Sequence, residues 1–274
     1  MAGIDRISWD LQAKWVLVGF PKAGTHLAAS MISPLAKPME SALSGKAWAS
    51  AFNDAFTHEE RRLEVVAWQL SELAPGRYYK AHSGHHPDLE AFLWFLGACV
   101  LFVYRDPRDV AVSLAYHVLS EKQDVLIHSG REKLLALGGK DEILKAVITG
   151  IEGYPGVMER WEAYAPWLSV PWVFKLRFEE AIANPCGVAD ALVRHALDRL
   201  GQVFGLRFSQ PDTADLVGRM VAAAADRDRS LTFRAGRVGD WRSEMNDEHK
   251  RLFRKSDKNN WLLRLGYEEN PVWA

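Results

Sequence analysis

The chain has 274 residues, 34 Lys plus Arg against 35 Asp plus Glu, and a net charge of −1. Near-neutrality excludes a protein that coats nucleic acid or an anionic membrane through bulk charge. The length fits one large domain that buries enough surface to need no disulfide or metal staple. Cys99 lies in an apolar run and Cys186 follows Asn184-Pro185; the pair reads as reduced and incidental, as in a reducing, cytoplasmic compartment. The first residues carry Asp5, Arg6 and Asp10 and no apolar stretch, so no secretory leader is expected there. The longest apolar run, Ala91 to Tyr104, is too short to insert across a bilayer. The 11 Trp fit either an aromatic core or an aromatic-lined ligand site.

In chain order, Trp15 to Gly19 reads as a buried strand, because it is a short Val-rich apolar run. Phe20 to Thr25 is a loop, and a helix follows to about Ile32. Thr57 and Glu60 form a capping-box pattern for a helix running to about Leu73. After Pro75-Gly76, a strand is expected over Arg77 to Ala81, a helix over Pro87 to Leu96, and a strand over Cys99 to Tyr104. Asp106-Pro107 places an N-cap and a first-turn proline ahead of a helix to about Leu119. Glu121 to Pro155, interrupted by five glycines, reads as the least regular part. A Trp-rich helix over Val157 to Leu168, a strand over Trp172 to Leu176, and an amphipathic helix from Pro185 to Val203 ahead of Gly205 come next. A helix over Asp212 to Ala224, an irregular stretch from Ser230 to Trp241, and a last helix over Asp247 to Leu265 complete the reading. This alternation predicts an α/β fold, a single domain over 1–274 with a central parallel sheet flanked by helices. Ligands of such sheets bind beyond the carboxyl ends of the strands, so the informative residues follow Gly19, Lys80, Tyr104 and Leu176.

Pro21-Lys22-Ala23-Gly24-Thr25 follows the first strand. Loop N–H groups, a helix N-terminus, the Lys22 ammonium and the Thr25 hydroxyl would make an anion cradle; an ordinary glycine-bearing turn is the plainer reading. The lysine precedes the glycine, unlike the Gly-x-x-x-x-Gly-Lys-Ser/Thr order of nucleoside triphosphatases. After the third strand, Arg105 stands at the sheet edge, with Ser113 two helical turns on, a pair suited to a phosphate monoester. The competing reading is an N-cap with a surface ion pair between Arg108 and Asp109 or Asp106. Two adjacent anion loops suit a nucleotide phosphorylated at both ends of its ribose. Phe233 to Trp241, with Arg234, Gly236, Arg237 and Gly239, fits a flap over phosphate, or a solvated basic loop. The stretch from Asp226 to Arg264 is net +4, which leaves −5 for the rest. His82, at the end of the second strand, is a candidate general base. With His85 and His86 it could instead suggest a metal, but no partner at ligand spacing accompanies them, so no metal is expected.

Together these pieces resemble the sulfotransferase family that uses 3′-phosphoadenosine 5′-phosphosulfate (PAPS). The family's 5′-phosphosulfate loop, Pro-Lys-Ser/Ala-Gly-Thr, is similar to Pro21-Lys22-Ala23-Gly24-Thr25. Its 3′-phosphate motif is similar to Arg105-Asp106-Pro107-Arg108-Asp109-Val110-Ala111-Val112-Ser113, and its Lys-Thr-His segment to Lys80-Ala81-His82. Its Tyr-Glu-Asp stretch is similar to Phe178-Glu179-Glu180, and its Arg-Lys-Gly-x-x-Gly-Asp-Trp segment to Arg234 through Trp241. The matches fall in family order. The resemblance implies a P-loop nucleotide-kinase-like fold and sulfonyl transfer from PAPS, without metal, to a small acceptor. It implies His82 as base, Lys22 on the departing phosphate, and Lys80 as a third catalytic group. Cofactor contacts are implied for Lys22, Ala23, Gly24, Thr25, His26, Arg105, Ser113, Phe178, Arg234, Ala235 and Gly236.

Departures from the family pattern are local. His26 and Leu27 stand where a hydroxyl residue and an aromatic are usual, Phe178 lacks a tyrosine hydroxyl, and Ala235 replaces a lysine. The family's C-terminal dimer motif is not visible, so monomer and homodimer stay open. Variable loops carrying Trp48, Phe52, Phe56, Ile127 and Tyr154 suggest an apolar or aromatic acceptor rather than a polysaccharide. An ATP-dependent small-molecule kinase and a non-catalytic PAPS-binding protein are the alternatives.

Overall fold

The computed structural model describes residues 13–38, 70–120, 130–205, 213–226 and 237–273. Five parallel strands form one sheet in the order β2-β3-β1-β4-β5: β1 (Lys14–Gly19), β2 (Lys37–Pro38), β3 (Arg77–Ala81), β4 (Cys99–Tyr104) and β5 (Phe174–Arg177). Only the two-residue edge strand β2 has no counterpart in the sequence reading. The helices are α1 (Thr25–Ile32), α2 (Pro87–Phe95), α3 (Pro107–Leu119), α4 (Arg131–Leu135), α5 (Lys140–Thr149), α6 (Val157–Glu162), α7 (Phe178–Ala183), α8 (Pro185–Phe204), α9 (Ala214–Ala225), α10 (Trp241–Glu244), α11 (Asp247–Ser256) and α12 (Trp261–Arg264).

Side chains alternate across the pleat of a strand, and the two faces of β1 and β4 fill two different cores. Val16, Val18, Val100 and Phe102 pack with α3, α5 and α6 on one face. Trp15, Leu17, Cys99, Leu101 and Val103 pack with α1, α8 and α9 on the other. Most described tryptophans, Trp15, Trp161, Trp167, Trp241, Trp261 and Trp273 among them, are buried. The tryptophan excess therefore mainly builds core.

The register sets up the site. Val18 pairs with Ala81, Gly19 with Val103, and Tyr104 with Arg177. The chain therefore leaves β3, β1, β4 and β5 side by side at one sheet edge, with neighbouring strands about 4.8 Å apart.

Several boundaries differ from the sequence reading, each for a local reason. The glycines of the expected irregular stretch punctuate helices rather than break them: Gly130 and Gly139 precede α4 and α5, and Gly150 follows α5 with φ 83°. The expected helix over Val157 to Leu168 stops at Glu162, and a 3₁₀ turn over Ala165–Ser169 takes its place, with Pro166, which has no N–H to donate, in its first turn. Strand β5 lies later than the expected Trp172 to Leu176. The last helix divides between α11 and α12, because Asn260 is left-handed (φ 52°) and the Asp257 carboxylate accepts the N–H groups of Trp261 (2.7 Å) and Leu262 (3.0 Å). The capping box at Thr57 and Glu60 lies outside the described residues. No described helix is long and apolar enough to cross a membrane.

Candidate active site

The loop after β1 turns through two left-handed residues, Lys22 (φ 68°) and Gly24 (φ 105°). Gly24 is needed twice over. Its φ disfavours any side chain, and a Cβ there would lie 2.4 Å from Cδ2 of Phe178. Thr25 is buried at the start of α1, and its Cγ2 fills the space a side chain on Gly19 would need. Strand end and helix start are thus in close contact, and within the loop the Ala23 N–H donates to the Phe20 carbonyl (3.0 Å). Burial, with Arg105 nearby, lowers the Lys22 ammonium to a pKa of about 8.

His82 follows β3. Its Nδ1 lies 2.7 Å from the carbonyl oxygen of Gly19. A carbonyl only accepts, so Nδ1 carries the proton and Nε2 presents a lone pair. The backbone here is clamped from outside: the Tyr164 hydroxyl donates to the His82 carbonyl (2.9 Å) and the Trp167 indole N–H to that of Ser83 (3.3 Å). The other two histidines of the trio point to other work. His85 Nε2 bonds Glu90 at 2.7 Å, and His86 Nδ1 accepts the Asp88 N–H as the N-cap of α2. Among the described residues no group of His, Cys, Asp and Glu could hold a metal ion.

His26 and Lys80 join the same cluster. The His26 imidazole is pulled down to about 4, first by desolvation and then by the charges of Lys80, Lys22 and His82. It is neutral near pH 7. The Lys80 side chain has exposed surface, yet the surrounding protein desolvates its ammonium enough to lower its pKa. Leu27, where the family pattern usually has an aromatic, packs against the α1-side core.

Arg105 follows β4 and is buried. Its guanidinium stacks 4.4 Å from the Phe178 ring centroid, and its Nη2 donates to Asp109 (3.0 Å) and to the Arg237 carbonyl. Its Nε is buried and has no hydrogen-bond partner among the described residues, a position that would suit an anion. Phe178 lies against both anion loops, touching the space above Gly24 and the face of Arg105. Ser113 is half-buried two turns into α3.

The structure also brings in residues that sequence reasoning missed. Asp109, fully buried, accepts from Arg105, from the Gly239 N–H (2.8 Å) and from the Trp241 N–H (3.0 Å). It therefore ties Gly239 and Trp241, the described end of the expected flap, to the start of α3. The expected surface pair of Arg108 and Asp106 is in fact buried: Arg108 bonds Asp106 and Glu268 and sits against the rings of both Trp241 (3.8 Å) and Trp273 (4.6 Å). His117, buried at the far end of α3, has Nδ1 3.2 Å from Lys22 Nζ. The legible signal was the spacing: Arg105, Asp109, Ser113 and His117 recur every four residues, and from Asp109 onward they share one helix face.

Two expectations change or fall outside. Tyr154, expected to line the acceptor pocket, is core, its hydroxyl accepting from Arg160 Nη1 at 2.9 Å. Arg234, Ala235 and Gly236, with Trp48, Phe52, Phe56 and Ile127, lie outside the described residues.

Lys22, Arg105, His82 and a left-handed glycine loop thus lie at one edge of the parallel sheet of an α/β domain. The chain belongs to the sulfotransferase family, whose sulfotransferase-domain profile matches residues 12–196. Among solved structures it is similar to mouse sulfotransferase SULT7A1 complexed with PAP, at TM-score 0.60 and 16% identity over 96% of this chain and 92% of that one. It is also similar to retinol dehydratase with retinol and PAP, at TM-score 0.52 and 16% identity over 91% and 82% of the two chains. The same enzyme with androsterone and inactive cofactor PAP gives TM-score 0.51 and 15% identity over 91% and 81%. Comparison with curated protein sequences finds no match.

Proposed function

We propose that the whole chain, 1–274, is one sulfotransferase unit that moves a sulfonyl group from PAPS to a hydroxyl or amine of a small apolar or aromatic acceptor. The observation that carries this reading is the joining of the two anion loops. Phe178 bridges Gly24 and Arg105, so one doubly anionic nucleotide can span from Lys22 to Arg105. The neighbours solved with PAP, and with androsterone or retinol beside it, support the same donor and a small acceptor.

The fit to PAPS rests on the chain's own groups. The buried Arg105 Nε awaits an acceptor, and Arg105 with Ser113 would bind the 3′-phosphate that ATP lacks. Arg234 and Gly236 would complete that contact from the flap. The loop N–H groups from Gly24 to His26, the Thr25 hydroxyl and Lys22 would hold the 5′ end, the Ala23 N–H being engaged by the Phe20 carbonyl (3.0 Å). When bound, the donor supplies an activated sulfonyl group. His82 Nε2 would take the acceptor's proton, since Gly19 fixes the tautomer with Nδ1 protonated. Lys22 would stabilise the charge that grows on the departing phosphate. Lys80 would face the sulfonyl oxygens or orient His82. Lysine and arginine supply the countercharge, so the reading calls for no metal. His26, neutral at pH 7, would donate or accept a hydrogen bond where the family pattern places a hydroxyl.

The test is release of PAP (adenosine 3′,5′-bisphosphate) from PAPS across a panel of phenols, alcohols and amines. Turnover with PAPS and none with ATP supports the reading. ATP-dependent phosphoryl transfer would favour the kinase alternative, and tight PAP binding without turnover the non-catalytic one.

A further inference from the structure

Helix α3 does more than start at the Arg105 loop. Its one face runs from Asp109, bonded to Arg105 and the flap, through Ser113 to His117 at the far end. His117 is buried, and its Nδ1 lies 3.2 Å from Nζ of Lys22, 95 residues away in sequence. The Lys22 side chain leaves a backbone already confined to a left-handed turn. An ammonium can only donate, so the contact makes His117 Nδ1 the acceptor and puts the ring proton on Nε2. A lysine side chain has four rotatable bonds, and a fixed acceptor removes most of the freedom of its head.

We propose that His117 is a positioning residue for the reaction, its Nδ1 holding the Lys22 ammonium at the point where the departing phosphate gains charge. This rests on the sulfotransferase reading given above. Preorganised donors stabilise developing charge because they need no rearrangement at the moment of reaction. The same helix face would then serve both ends of the donor: Asp109 through Arg105 at one, His117 through Lys22 at the other.

The test compares His117→Phe, which keeps a ring but loses the acceptor, with His117→Asn, whose Oδ1 can replace Nδ1. Two readouts are taken. The first is independent of turnover: the pH dependence of Lys22 acylation by an amine-reactive reagent, followed by peptide mass spectrometry. Loss of an acceptor for the ammonium disfavours the charged form. His117→Phe should therefore move the Lys22 midpoint further below about 8, and His117→Asn should restore it. An unchanged midpoint in His117→Phe overturns the proposal. The second readout is kcat for PAP release, compared with KM for PAPS, whose bridging oxygen has not yet gained the charge. His117→Phe should lose roughly ten- to a hundredfold in kcat, the range for a hydrogen bond to a charged group, with KM for PAPS within about threefold. His117→Asn should recover to within a few-fold of wild type. An asparagine variant as impaired as the phenylalanine one, an unchanged kcat, or a loss that lies wholly in KM overturns it. If wild type gives no turnover with any acceptor of the panel, the sulfotransferase reading fails, while the acylation readout still decides the Lys22–His117 contact.

Discussion

Replacing Asp109 by Asn would disconnect Gly239 and Trp241 from Arg105, on the side of the site proposed for the 3′-phosphate. The carboxylate is fully buried and takes three donors: Arg105 Nη2 at 3.0 Å, the Gly239 N–H at 2.8 Å and the Trp241 N–H at 3.0 Å. An asparagine keeps one acceptor oxygen and turns its NH₂ toward a donor, so one or two of these bonds fail and Arg105 loses its countercharge. At about 1.5–3 kcal/mol for each hydrogen bond to a charged group, the expected loss of stability is about 3 kcal/mol. For a chain of this size that lowers the melting temperature by roughly 5–10 °C. The nucleotide readout separates site from scaffold. Affinity for PAP should fall at least about tenfold, or about 1.4 kcal/mol, because Arg105 is no longer aimed. Affinity for adenosine 5′-phosphate, which lacks the 3′-phosphate, should change little. Calorimetric titration of both nucleotides and a thermal melt provide the data. A melting temperature equal to wild type, or equal losses for the two nucleotides, would refute the reasoning.

Other substitutions test neighbouring parts of the account. His82→Ala should lower turnover by about 10²–10⁴-fold with PAP affinity within a few-fold, and unchanged turnover removes His82 as the base. Gly24→Ala should weaken PAP binding strongly, because its φ of 105° and the 2.4 Å approach of Phe178 both oppose a methyl group. Adding Phe178→Ala should relieve only the second cause, so a full rescue in calorimetric binding would contradict the backbone argument. Lys22 gives a pH signature. Its pKa falls on folding from 10.5 to about 8, so the unfolded chain binds more protons between those values and the stability contribution rises with pH across that window. Below pH 8 the folded state bears the whole cost of desolvating the charge, at most about 3 kcal/mol at 1.36 kcal/mol per unit. Lys22→Met should therefore be the more stable protein in urea at pH 7, part of the gain being offset by the lost His117 contact, with an advantage that narrows toward pH 10.5. A pH-independent difference would refute the burial assignment. Arg105→Ala should weaken PAP by several kcal/mol, the order expected when a charge-assisted anion contact is lost, as titration of PAP against adenosine 5′-phosphate would show.

Local patterns carried much of this site. The Val-rich runs located β1 and β4, and a parallel sheet then required the residues after Gly19, Ala81 and Tyr104 to meet at one edge. That requirement brings Lys22, His82 and Arg105 together. Asp106 and Asn184 were legible as caps because a short acceptor side chain followed by proline has few other uses at a helix start. What stayed hidden was what depends on distant partners. Arg108 and Asp109 look like a surface pair until Trp241, Trp273 and Glu268, more than 130 residues on, close over them. His117 reads as an ordinary polar position near a helix end, and only the turn at Lys22 brings its partner to it. Gly130, Gly139 and Gly150 suggested irregular chain, since a glycine at a helix boundary and one in a loop look alike without the flanking contacts.

The central claim is that Lys22, His82 and Arg105 serve one sulfonyl transfer from PAPS. It is tested most directly by incubating wild type and His82→Ala with sulfur-labelled PAPS and a metabolite extract, then following the label by mass. The account predicts labelled small-molecule products with equimolar PAP from wild type, formed about 10²–10⁴-fold more slowly by His82→Ala. Label that stays on PAPS with every acceptor, while ATP supports phosphoryl transfer, would contradict it.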